Sequence, residues 1–303
     1  MTRPSRRPSR RAGSSSRLPA AMRPSDNDSL PPSTSYMNRR ATAARTAQLA
    51  EKLSLRDAGM LRDLARLRCL TGIQLERLHF HDLAAPNRNR ARNRVLGRLT
   101  RLEVVTTLDR RIGGVRRGSD GLVYALDIAG QRVVRLLTGQ DESPARRPWT
   151  PGLPFLAHTL AVAELYVQLR EAERAGQLEL TDFRAEPAAW HRTASLGTLK
   201  PDAYVQIASP RTEDVWWLEV DLATESRTTL RRKLSLYLLA HQTGTSGPGP
   251  DGLLPRVLVT VPTDRRLEVV REVIAELGPP ARKLLFACLH AEAIPFMGEA
   301  LQE

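Results

Sequence analysis

Cysteine is nearly absent from this 303-residue chain: Cys69 and Cys288 are its only two. Two cysteines cannot build a disulfide framework or a cysteine-rich zinc site, and a reducing cytoplasm is the simplest setting. Long apolar runs are missing as well. The strongly apolar Val257–Val261 is far shorter than the roughly 20 residues that span a bilayer, so no membrane association is expected. The N-terminus carries the pairs Arg6-Arg7 and Arg10-Arg11 without an apolar stretch behind them, so neither a secretory nor a twin-arginine export signal is expected. No phosphate loop of the G-x-x-x-x-G-K-[ST] type and no Ser-His-Asp order appears. Acid is in short supply: 33 acidic against 46 basic residues leave a formal charge of +13. Such an excess suits a polyanionic partner, most often nucleic acid. The blander alternative is an arginine-rich composition with no such meaning.

What is present falls into segments. Residues 1–45 hold ten Arg, two Asp and few large apolar side chains. Such a stretch buries too little surface to offset its ordering entropy, and it reads as a disordered basic tail. It is either a source of sequence-independent phosphate contacts or a passive extension. Residues 46–137 show helical signals at Thr46–Leu53 and Leu55–Leu67. A short helix follows behind a Thr71 N-cap. Next comes Arg88–Leu102, with Val95, Leu96, Leu99 and Leu102 on one stripe. The strands Val104–Leu108 and Leu122–Leu126 flank an arginine- and glycine-rich tip. Three helices and a basic hairpin make a winged helix-turn-helix.

Arginine and asparagine dominate the exposed faces of the third helix: Arg88, Arg90, Arg92, Asn93, Arg94 and Arg98. These side chains read guanine and adenine edges or neutralise phosphate. Arg116 and Arg117 at the hairpin tip would lie on phosphate or in the minor groove. Double-stranded DNA is the expected partner; the alternative is a solvated basic helix packed on its neighbours.

A helix, Ile128–Leu137, closes this half. Residues 138–154, rich in proline and glycine, read as a linker. Residues 155–303 then give the order α-β-β-β-α-β-α-β, a mixed sheet with helices on both faces. The strands are Leu178–Ala185, Ala203–Ala208, Val215–Asp221, Arg256–Val261 and Leu284–Leu289. The helices are Leu156–Ala175, Thr228–Gln242 and Asp264–Leu277. His79 and His81 lack a second ligand pair at metal spacing and read as structural or surface residues. Trp216 and Trp217 fall on opposite strand faces and read as packing. Arg231-Arg232-Lys233 reads as a solvated helix face.

Asp202 follows Pro201 at the start of one strand. Glu219 and Asp221 alternate on the next, so they share a face. With Glu164 in the preceding helix, this order resembles the PD-(D/E)XK nuclease core, a restriction-endonuclease-like α/β domain. The resemblance implies that Glu164, Asp202 and Glu219 hold Mg²⁺, with Asp202 and Glu219 as its nearest ligands. The family places a lysine two residues after Glu219, where this chain has Asp221. Lys200, sharing a strand face with Asp202, is one candidate substitute cation; Arg227, Arg231 and Lys233 on the next helix are others. Asp221 is alternatively an extra metal ligand. An inactive core, its acids paired to the arginine-rich helix, is the other outcome.

From Leu53 to Cys288 the chain resembles the replication-relaxation family of bacterial plasmids and integrative elements. The resemblance rests on LRDLARLRCLTGIQLERLHF, RNRVLGRLTRLEVV, HTLAVAELYVQL, KPDAYV and WWLEVDLATES followed by LRRKLSLYLLA. It implies a DNA-associated role in replication, relaxation or transfer of a mobile element, beside a relaxase or replication initiator. An enzymatic activity does not follow from it, and the oligomeric state is not written in the sequence.

Overall fold

The computed structural model describes residues 34–111, 121–139, 145–146 and 151–302. Residues 43–303 form one compact unit. Helix α1, Thr34–Glu51, begins inside the segment expected to be a disordered tail. The average composition of residues 1–45 hid an alanine-rich end, ATAAR, that favours helix. Residues 1–33 lie outside the described part.

Three helices follow: α2 (Leu55–Leu67), α3 (Gly72–His79) and α4 (Ala85–Arg101). Both α2 and α3 start on capping boxes, Ser54 with Asp57 and Thr71 with Gln74, so the local sequence fixes where they begin. Strand β1 (Cys69–Thr71) lies between α2 and α3. It pairs with β3 (Leu122–Leu126), which pairs in turn with β2 (Val105–Arg111), all antiparallel. β1 was not foreseen, because three residues carry no readable alternation. Helix α5 (Ile128–Thr138) packs so tightly that a Cβ on Gly130 would stand 1.9 Å from the Val104 carbonyl oxygen. The next helix, α6, begins at Leu153, inside the expected linker, and runs to Arg174.

The second half is a five-strand mixed sheet in the order β10-β9-β8-β7-β4. Its strands are β4 (Glu179–Ala185), β7 (Ala203–Ala208), β8 (Glu213–Val220), β9 (Arg256–Val261) and β10 (Leu285–Leu289). β4, β7 and β8 run antiparallel, and β8, β9 and β10 run parallel. The two-residue strands β5 (His191–Arg192) and β6 (Thr198–Leu199) pair apart from it.

Helices α7 (Arg227–Gln242) and α8 (Asp264–Glu276) cover one face, packing Leu234, Tyr237, Val270 and Val273 with Trp217, Val257 and Val259. Helix α6 and a further helix, α9 (Ala293–Ala300), cover the other with Trp216, Leu218 and Val220. Trp216 and Trp217 are fully buried on opposite faces.

The two halves share one core, which runs from Met60, Leu64 and Leu75 through α6 to Val205 and Leu218. Polar bonds reinforce it. The Tyr166 hydroxyl donates to Asp63 at 3.0 Å and accepts from Arg66 at 2.6 Å, and Arg77 spans Glu164 and Glu171. Helix α6 therefore joins the halves as a shared wall rather than a tether. No described helix is long and apolar enough to cross a membrane.

Candidate functional site

Two charged regions were expected from the sequence. On α4, Arg90, Asn93, Arg94 and Arg101 are exposed. Arg90, Arg94 and Arg101 recur at four- and seven-residue spacing, which puts them along one face. Among the described residues, no carboxylate lies within ion-pair reach of these three; the pairs formed by α4 are Arg92–Glu76 and Arg98–Asp57.

The other expected DNA contacts divide differently. Arg92 is 2% exposed and is held by Glu76 at 3.0 Å, Asn89 and Asn93. Its place on the helix points it inward at α3, so it cannot reach a groove in this conformation. Burial pushes the Asp57 carboxyl up, but Arg98 at 2.6 Å together with the Ser54 N–H and hydroxyl holds it below its usual range. Arg88 donates to the Leu83 and His81 carbonyls, closing the turn before α4. Arg116 and Arg117 lie outside the described residues.

The acidic region is a small polar cluster at the end of the sheet. Asp202, just before β7, accepts from the Val220 N–H at 2.7 Å and faces His158 Nε2 at 3.1 Å. Glu219 on β8 is 2% exposed. Its Oε1 accepts from the Tyr237 hydroxyl, and Lys233 Nζ stands 2.6 Å from its Oε2. Lys233 also reaches Glu225 at 3.4 Å. Tyr237 and Lys233 are one turn apart on α7, so a single helix supplies both partners of Glu219.

Burial and then neighbouring Asp202 push Glu219 up to about 8, against the pull of Lys233 and Tyr237. Burial lowers Lys233, but Glu219 and Asp202 outweigh it and hold the ammonium above its usual range. These two shifts pull apart, since the second presumes an ionised Glu219. The burial of Glu219 beside a second acid is the stronger effect, so its upward direction stands. Burial lifts Tyr237 well above its ordinary value, aided by Glu219. The bond to Asp202 raises His158 despite its own burial.

Three expected members stand elsewhere. Glu164 is not brought to this cluster: its carboxylate is taken by Arg77 at 2.5 Å, Gln74 at 3.2 Å and Gln168 at 3.4 Å. Six residues along a helix turn it about 120° away from His158, toward α3. Asp221 lies just past the end of β8. Its Oδ2 accepts from Arg266 Nε at 2.6 Å and its Oδ1 from the Ala223 N–H at 2.7 Å. Lys200 places its ammonium 4.7 Å from the Trp190 ring centre. The cation beside Glu219 is Lys233, from the helix, where the sequence had read a solvated basic face.

His158 and Tyr237 were missed. A single histidine in the apolar run LPFLAHTLAVAEL was the available signal for one; Tyr237 reads as an ordinary core residue of α7. His79 pairs with Asp63 at 2.9 Å and His81 Nδ1 meets the Leu78 carbonyl, in keeping with structural roles.

The donor set is a poor match for Mg²⁺. That ion takes octahedral oxygen ligands, several of them water, with one or two carboxylates. Here both Glu219 oxygens are engaged by Tyr237 and Lys233, and Asp202 Oδ2 is engaged by Val220 and His158. Among the described residues, no three His, Cys, Asp or Glu side chains are grouped to hold a metal. The arrangement does not fit the ion. What it can do is balance charge: one ammonium and one imidazole offset two acids at a sheet end.

Comparison with known proteins adds one finding. No curated protein and no solved structure matches the chain. The family model described as Replication-relaxation matches residues 61–257, close to two thirds of the chain. That span takes in α3, α4, the hairpin, α6 and the whole acid cluster. The chain belongs to the replication-relaxation family, a membership that suggests a role in plasmid replication or relaxation.

Proposed function

We propose that this chain is a DNA-binding accessory protein in the replication, relaxation or transfer of a plasmid or mobile element. Helices α2, α3 and α4 with the β2–β3 hairpin supply the order that a winged helix-turn-helix needs. The observation that carries the reading is the exposed stripe of Arg90, Arg94 and Arg101 on α4. Surface guanidinium groups at helical spacing, without a carboxylate partner among the described residues, suit a run of phosphates, and Asn93 beside them can serve a base edge once it leaves Arg92 and Asn89. Arg116 and Arg117 extend the basic character in sequence. The partner is double-stranded DNA, and a relaxase or replication initiator is the protein most in keeping with the family.

Fluorescence anisotropy of the full chain on duplex DNA across a salt series tests this. Replacing Arg90, Arg94 and Arg101 by Ala should weaken binding and flatten the slope of log affinity on log salt by about 2–3. An unchanged affinity and slope would overturn the proposal.

The engagement of Glu219 by Lys233 and of Asp202 by the Val220 N–H, without a donor set for Mg²⁺ among the described residues, favours a second reading: an inactive nuclease-like sheet that serves as an architectural or protein-binding body. Equal background from wild type and Asp202→Ala on plasmid DNA in Mg²⁺ or Mn²⁺ is the expected result. Metal-dependent cleavage that Asp202→Ala abolishes would overturn this reading and make the chain a PD-(D/E)XK nuclease.

A further inference from the structure

The five-strand sheet ends differently at its two sides. At one side, β4 carries Glu179, Asp182 and Arg184, and its register against β7 shifts between Leu180 and Asp182. Charge and irregularity of this kind keep another chain from pairing with an edge. At the other side, β10 reads LFACL and runs in even register with β9, without charge, proline or bulge. Among the described residues, no strand lies beyond it.

The direction of its backbone groups follows from one bond. The Val257 N–H donates to the Leu284 carbonyl at 2.8 Å, so the groups of Leu284 face β9. Alternation then turns those of Leu285, Ala287 and Leu289 outward. The Leu289 N–H indeed looks away from β9, to the Glu292 carboxylate at 3.3 Å. Helices α8 and α9 do not close over this edge. A cavity of about 240 Å³ opens along it, lined from both faces by Arg271, Ile274, Arg282, Phe286 and Phe296.

We infer that β10 is an interface between two copies of this chain, paired antiparallel about Ala287 into one continuous ten-strand sheet. Charge complementarity names the occupant. Exposed Arg282 and Lys283 precede the strand, and exposed Glu292 follows it. In two-fold antiparallel pairing, Ala287 opposes itself and Leu285 opposes Leu289 of the second copy. The basic start of each strand then meets the acidic end of the other, twice. The same register pairs the outward groups of Ala287 with those of its own copy and the Leu285 N–H with the Leu289 carbonyl, while the Leu289 N–H stays on Glu292. A strand with one sign of charge at both ends would instead repel its own copy.

Sedimentation equilibrium of the full chain tests this. The wild type should run at twice its 33.7 kDa mass at micromolar concentration. Ala287→Pro removes an outward N–H and no bond to β9, so it should yield a monomer with an unchanged circular dichroism spectrum. Arg282→Glu should raise the dimer dissociation constant about tenfold or more, and adding Glu292→Arg should restore it. A wild type still monomeric at about 100 µM, or a dimer that Ala287→Pro leaves intact, overturns the inference. If Ala287→Pro fails to fold, the charge-swap pair decides: no weakening in Arg282→Glu, or no restoration in the double variant, overturns it as well.

Discussion

The basic face of α4 and the acidic cluster of the sheet are opposite in more than sign. Arg90, Arg94 and Arg101 are exposed and, among the described residues, have no carboxylate in reach, whereas Glu219 and Asp202 are buried and surrounded by their own partners. Water solvates a surface cation at small cost, so such a charge can be left for an outside partner. A buried acid has no such freedom and must be paired or protonated. Charge on α4 is thus available, and charge at the sheet is already spent on the fold.

The largest effect should come from breaking the buried side of that contrast. Lys233→Met removes the cation beside Glu219, and should cost about 3–5 kcal/mol in urea denaturation above pH 8, where Glu219 is ionised, and less at about pH 6. A cost below about 1 kcal/mol would mean that Glu219 is carried as a neutral acid with little need of the ammonium. The α4 triple variant sharpens the other side. Its DNA affinity should fall on the order of tenfold or more at 0.1 M salt, while its urea midpoint stays within about 0.5 kcal/mol of wild type. A large loss of stability would show these arginines to be structural after all.

A third effect is pH-dependent. Glu219 in the folded protein titrates at about 8, above its ordinary 4.5, so folding strengthens its hold on the proton. The associated stability is present below about 4.5 and is lost as pH rises through about 8. Glu219→Gln should flatten the stability profile across that window, and a profile as steep as wild type would place the titration elsewhere. The smallest effect is at His158, whose value Asp202 raises above 6.5. Its contribution is complete below 6.5 and disappears as pH climbs past the raised value. His158→Gln should therefore cost about 1 kcal/mol at pH 6 and almost nothing at pH 9, read by thermal melts at both. Equal losses at the two pH values would make its role one of packing.

Local signals made much of the fold legible. Ser54 and Thr71 announce their helices by capping, and Arg256–Val261 is apolar enough to be a buried strand wherever it lies. Strands β1, β5 and β6 were not legible, because runs of two or three residues show no period. Helix α9 was missed as well. Asp202 and Glu219 could be placed at one sheet end from the hairpin alone. Glu164 could not be placed, because its direction depends on how α6 is rotated between α3 and the sheet. Lys233 could be named only as one of several cations on the next helix, since helical spacing does not say which side chain meets which strand.

By itself the sequence determined the helix starts, the main strands, the arginine excess of α4 and the family to which the chain belongs. Those follow from period, capping and residue identity, which are local. Only the tertiary structure decided that Arg92 and Arg98 turn inward, that Glu164 binds Arg77, and that Lys233, Tyr237 and His158 close around the acids. These are matters of rotation and distance between elements far apart in the chain. A side chain's burial and counter-charge are set by that packing, not by its neighbours in sequence.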